Sequence, residues 1–287
     1  MELDVNKLNT TIIRKNGRLT LGAFVLIVLA GCATDKDADL KIDTSDVQAD
    51  VTITRLAPLL YEGPSETFEQ RLDSAYAQYP NLLDVYTGKV IGIGPAGPDS
   101  NARTLKRFIY DQYWQEVYQE TRDQYSDLEP LKEELKQAFK HYRYYYPQDT
   151  IPSIYTMVKG IDLRYKVATL DQHALILFLD MYLGKDYKYY PSRYPDYRIE
   201  RFQQSNITLD IIEALFKRKY PKDSMTDKTF LSHMLYRGKK LHFMKAMMPD
   251  RHDTAIMRYS LEDWQWCLNF EKKIWDHFVN DELLYES

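Results

Sequence analysis

"ALILFL", residues 174–179, sets six apolar residues in unbroken succession. The run is too short for an ordinary helix and lacks the alternation of a half-exposed strand, so it reads as a strand covered on both faces. Three weaker candidates join it: Val51 to Leu56, which alternates, Ser153 to Val158, and the short Val167 to Leu170. The rest is helical in pattern. Phe68, Leu72, Tyr76 and Tyr79 recur at about four-residue spacing up to Pro80, and Leu105, Phe108, Ile109, Tyr113 and Val117 fall in one segment from Ala102 to Gln124. Pro130 can open a helix carrying Leu131, Leu135 and Phe139. Thr208 to Tyr220, Thr226 to Met248 and Ser260 to Val279 complete the set, the last starting with Ser260 and Asp263 in the form of a capping box. The expected fold class is α+β, a mainly helical domain with a small central sheet and no internal repeat.

The N-terminus carries a different signal. Leu19 to Ala30 is nearly all apolar, and Lys7, Arg14, Lys15 and Arg18 precede it. Its length falls short of the roughly 20 residues a membrane-spanning helix needs, while the basic start, apolar middle and small residues at the end form an export signal. Leu29-Ala30-Gly31-Cys32 resembles a bacterial lipobox, in which the cysteine is acylated and becomes the first residue of the mature chain. Cys32 is thus the expected lipid-attachment site, for palmitate-type chains that hold firmly as two or three together. Residues 1–31 are read as signal peptide, 32–50 as a flexible tether rich in charged and small residues, and 51–287 as one folded domain.

Cleavage before Cys32 removes four basic and two acidic residues, so the counts of 38 and 42 become 34 and 40 and the net charge moves from −4 to −6. A mildly acidic domain is a poor nucleic-acid partner. With Cys32 acylated, Cys267 is the sole remaining thiol, and no internal disulfide can form. Its neighbours in Trp264-Gln265-Trp266-Cys267-Leu268 place it in the expected core.

"ALILFLDMYLGKDYKYY" (174–190), "FLSHMLYRGKKLHFMKAMMP" (230–249) and "SLEDWQWCLNFEKKIWDHFV" (260–279) resemble the gliding-motility lipoprotein GldB family of Bacteroidota. "FIYDQYW", "HYRYYYP" and the lipobox fit the same pattern, and the likeness covers about residues 50–287. It implies a cell-envelope lipoprotein needed for surface gliding and associated protein export, partnered by the membrane and by the gliding or secretion machinery. Ala33, rather than aspartate, after Cys32 favours the outer membrane over the inner, and "DKDAD" loosely resembles tethers that mark surface export.

Catalytic templates are not met. His233-Met234-Leu235-Tyr236-Arg237 stands where a zinc peptidase of related architecture would carry His-Glu-x-x-His, which suggests a degenerate zinc-peptidase-like fold. Met234 replaces the general base and Arg237 the second ligand, and a guanidinium cannot bind Zn²⁺. No Gly-x-Ser-x-Gly elbow occurs, and Gly92-Ile93-Gly94-Pro95 is broken by proline. Asp162, Asp171 and Asp180 bracket the strands and read as turn residues. The expectation is a non-enzymatic protein with no cofactor, no metal and no catalytic residue, acting by protein–protein interaction. A metallopeptidase-related domain with an atypical hydrolytic or ligand-binding site is the alternative, and a glycan- or peptide-binding lipoprotein outside motility a third.

His233, Arg237 and Lys240 follow i, i+4, i+7 and form one ridge, a candidate anion or partner surface set against the plainer reading of a solvated face. Gly238 beside them admits either a close neighbour or a break in the helix. Tyr182, Tyr187, Tyr189, Tyr190, Tyr194 and Tyr197 crowd one segment, which suits an ordered loop packed on helices or a ligand groove. In the last helix Trp264, Leu268 and Trp275 form one stripe and Trp266, Phe270 and Ile274 another, so deep burial is expected.

Overall fold

The ALILFL run becomes an interior strand, buried at all five of its positions from Ala174 to Phe178. The computed structural model describes residues 40, 42–95, 99–161, 164–222 and 227–286. Along the chain these form β1 (Ile53–Arg55), α1 (Ala57–Tyr61), α2 (Phe68–Gln78), α3 (Pro80–Asp84), a π-helical stretch (Val85–Ile91), α4 (Asp99–Ile109) and α5 (Gln112–Gln124). There follow α6 (Glu129–Tyr145), β2 (Ser153–Met157), β3 (Val167–Thr169), β4 (Ala174–Phe178), α7 (Asp196–Ile199), α8 (Ile207–Lys219), α9 (Phe230–Met247), α10 (Asp253–Met257) and α11 (Leu261–Asn280). The fold is α+β and mainly helical, as expected.

The sheet has the order β1-β2-β4-β3. Three strands run parallel, Ile53 opposite Ile154 and Tyr155 opposite Ile176, and β3 closes the edge antiparallel with Ala168 opposite Ile176. Parallel strands need a crossover between them. Helices α1 to α6 supply the one from β1 to β2, and the segment through β3 leads from β2 to β4. Helix α8 packs on β3 and α9 packs on α8. Its apolar run explains the depth of α8, whose Ile207, Ile211, Ile212, Leu215 and Phe216 are all buried.

Several expectations need correcting. The segment 102–124 is two helices, because Asp111 leaves the helical conformation and caps α5 by accepting from the Tyr113 amide at 3.0 Å. Part of the expected tether belongs to the folded unit, which spans Leu40–Ser287: Ala49 is buried and Leu40 packs on the core. The signal segment and Cys32 lie outside the described residues. Gly238 neither breaks α9 nor admits a neighbour, since nothing comes within 4 Å of a side chain placed there.

The largest correction concerns α11. Its capping box forms as expected, with Ser260 and Asp263 bonded both ways. Yet none of its 20 residues is buried. Trp266 is 54 % exposed, Leu268 50 % and Trp275 44 %, and Cys267 is half-buried rather than sealed in the core. The helix is held from one side only, through contacts such as Phe278 against Phe230 and through the short turn Leu283–Tyr285 that packs on α9.

Candidate functional site

Two acids on the inner face of α8 organise the polar part of the molecule. Asp210 and Glu213 interrupt the apolar run ITLDIIEALF, so burying that run carries both carboxylates inward. A buried charge must be paired. Asp210 accepts from Lys166 and Arg258, and from the Tyr182 hydroxyl at 2.8 Å. Glu213 pairs with Lys217 at 2.8 Å, Lys240 at 3.0 Å and Arg258 at 3.2 Å. Burial alone would raise the Glu213 carboxyl, but these three cations outweigh it and hold it at about 2. Burial lowers Lys166 and Lys240 against the pull of Asp210 and Glu213, respectively. Arg258 is raised, because the two acids outweigh its burial.

This network forms one wall of a cavity of about 500 Å³. Helix α8 contributes Asp210, Glu213 and Lys217; α9 contributes Arg237, Lys240, Leu241 and Met244; the α10 end contributes Ile256 and Arg258. Arg198 and Arg201, from α7 and the residues after it, and Arg164 and Lys166, ahead of β3, complete the charged lining. Eight cationic residues thus face two acids. A second cavity of about 540 Å³ lies near the carboxyl ends of the parallel strands, lined by Trp114, Lys159, Ile161 and Arg193 among others.

The predicted ridge is divided. Arg237 and Lys240 reach the cavity, Lys240 through its pair with Glu213 and Arg237 from an exposed position. His233 does not line it; its ring lies in the first turn of α9, and Nδ1 has no hydrogen-bond partner among the described residues. Arg198, Arg201, Lys217 and Arg258 were missed. The readable sign was the pair of acids set inside an apolar helix, which announces buried cations somewhere else in the chain.

Asp180 also departs from its expected role. Asp171 does serve a turn, accepting from the His173 amide at 2.6 Å, and Asp162 lies outside the described residues. Asp180 is fully buried beyond β4, accepts from the Lys159 amide at 3.3 Å, and is pushed up to about 6 by burial, which overrides Lys159 and nearby amides. The tyrosine-rich segment is an ordered loop on α5. Tyr187 donates to Glu120 at 2.7 Å, Tyr189 to Glu116 at 2.6 Å, and Tyr190 to the Asp180 carbonyl at 2.8 Å, while Tyr197 stands exposed.

Among the described residues no three His, Cys, Asp or Glu side chains converge as metal donors, and no helix is long and apolar enough to cross a membrane. The model of the family described as gliding motility protein GldB matches residues 37–287. The chain belongs to the GldB family. The match takes in every element from β1 to α11, including both walls of the cationic cavity and the exposed last helix. Comparison of this GldB-family chain with curated proteins and with solved structures gives no match.

Proposed function

We propose that this GldB-family protein is a lipid-anchored envelope component of gliding motility and associated export that works by docking other machinery proteins rather than by catalysis. The anchor is Cys32, acylated and seated in the outer membrane. The observation that supports docking is α11. Twenty residues of helix with no buried side chain carry Leu261, Trp266, Leu268, Trp275 and Val279 to solvent. Exposed apolar surface of this kind marks interaction sites, and tryptophan is among the residues most enriched at binding hot spots. The helix carries four acids, Glu262, Asp263, Glu271 and Asp276, against Lys272 and Lys273, so the partner that fits is an apolar groove with a basic rim.

The test is a Trp266→Ser/Trp275→Ser chain expressed in place of the native one. The expected result is normal abundance and lipid anchoring, loss of gliding, and loss of gliding-machinery proteins from cross-linked captures. Normal gliding by that variant overturns the docking role of α11.

A further inference from the structure

We propose that the cavity between α8, α9 and the α10 end binds a phosphate-type oxyanion, carried on a soluble phosphate ester or on a lipid headgroup. The charge balance of its walls supports this. Lys166, Lys217, Lys240 and Arg258 are engaged by Asp210 and Glu213. Arg201 and Arg237 face the same space from separate elements, and neither has an ion-pair partner among the described residues. Arg198, also in the lining, rests on the Tyr197 ring at 5.8 Å, and among the described residues its guanidinium bonds only the Tyr197 hydroxyl.

Unpaired arginines gathered round one cavity repel each other, and an entering anion turns that cost into attraction. Guanidinium forks suit phosphate oxygens in bidentate fashion, and a doubly charged group can engage two forks where a single carboxylate satisfies one. The volume lies within the range of small-molecule sites. Leu241, Met244 and Ile256 give the cavity an apolar side as well, with room for an organic group attached to the phosphate.

The placement of Arg258 is a second, independent sign. Its φ of 60° puts an arginine in the left-handed region, where it caps α10. Non-glycine residues are uncommon there, and such conformations gather at sites that must hold a side chain in a set position. Here the guanidinium sits between Asp210 and Glu213 and donates to both, so each acid is already engaged.

This inference concerns a surface other than α11, and its test needs no motility readout. The full acylated protein is reconstituted in phosphatidylcholine nanodiscs. One arm titrates pyrophosphate by calorimetry; the other adds phosphatidic acid to the disc and follows the melting temperature. Wild type is expected to bind in at least one arm, and Arg201→Gln/Arg237→Gln to weaken that binding by about tenfold or more at an unchanged ligand-free melting temperature. Response to pyrophosphate alone assigns a soluble ester, response to phosphatidic acid alone a lipid headgroup, and both support the site. Silence in both arms, or binding unmoved by the double substitution, overturns it.

Discussion

The Tyr182 hydroxyl donates to Asp210 Oδ2 across 2.8 Å, tying the segment after β4 to the first turn of α8. Both residues are buried, and Lys166 and Arg258 converge on the same carboxylate. Removing the hydroxyl takes one donor from an acid that keeps two cations. Tyr182→Phe should therefore cost about 1.5–3 kcal/mol, the range for hydrogen bonds to charged groups. Asp210→Ala strands Lys166 without an anion and leaves Arg258 only Glu213, and should cost about 3–5 kcal/mol. Urea unfolding of both variants checks the order, and equal losses would contradict it.

Asp180 makes stability depend on pH in an unusual direction. Its folded value of about 6 lies above the roughly 3.9 of an unfolded aspartate, so the folded state holds the extra proton between those values. The contribution is fully present below about pH 4 and is lost as pH rises through 6, with an upper magnitude of about 3 kcal/mol. Asp180→Asn should flatten that limb, gaining on wild type at pH 8 relative to pH 4. Urea midpoints across the range measure it.

Glu213 acts in the opposite sense. Held at about 2, below the roughly 4.3 of a free glutamate, it contributes stability that is complete above pH 5 and fades toward pH 2. Glu213→Gln should lower stability at pH 7 and make the acid limb shallower. Thermal melts at pH 3 and pH 7 distinguish this from a loss uniform in pH.

Gly160 follows β2 with a φ of 74°, and a Cβ built there would lie 1.0 Å from Trp114 Cζ3. Gly160→Ala meets both a strained backbone and an indole that must shift bodily to make room, so the protein should accumulate poorly. Adding Trp114→Ala removes the collision but not the strain. More soluble protein from the double variant than from the single is the expected result.

Trp275 tests the revised view of α11. A buried tryptophan cut to alanine costs about 3–5 kcal/mol. Trp275 is 44 % exposed and touches Phe278 edge-on with centroids 6.3 Å apart, so Trp275→Ala should cost about 1 kcal/mol or less. Phe216→Ala, in the fully buried face of α8, supplies the contrast. Matching losses in guanidinium unfolding would return α11 to the core.

All four strands could be read because β4 is apolar on both faces and the others stand beside it in short extended runs. The helix from Ser260 was legible in its start, since a capping box is local chemistry. Its burial was not, because two aromatic stripes describe what a helix offers and say nothing of whether anything meets it. The same divide runs through the site. Arg237 and Lys240 share a helix face and were found together, whereas Arg258 reaches Asp210 across 48 residues, a distance no spacing rule spans. Asp180 looked like a turn residue because strand ends usually carry them; only the packing around Lys159 makes it a buried acid.

The parallel pairing of Ile53 with Ile154 also sets a timetable. Closing a loop of about a hundred residues is slow, since its entropy must be lost before any contact compensates. A chain emerging from its N-terminus presents β1 first, and the partner strand follows only after six helices have emerged. The helices can form as they appear; the sheet cannot. Until Ile154 arrives, β1 is an open edge, and whatever guards it in those moments governs how much of the protein is ever made whole.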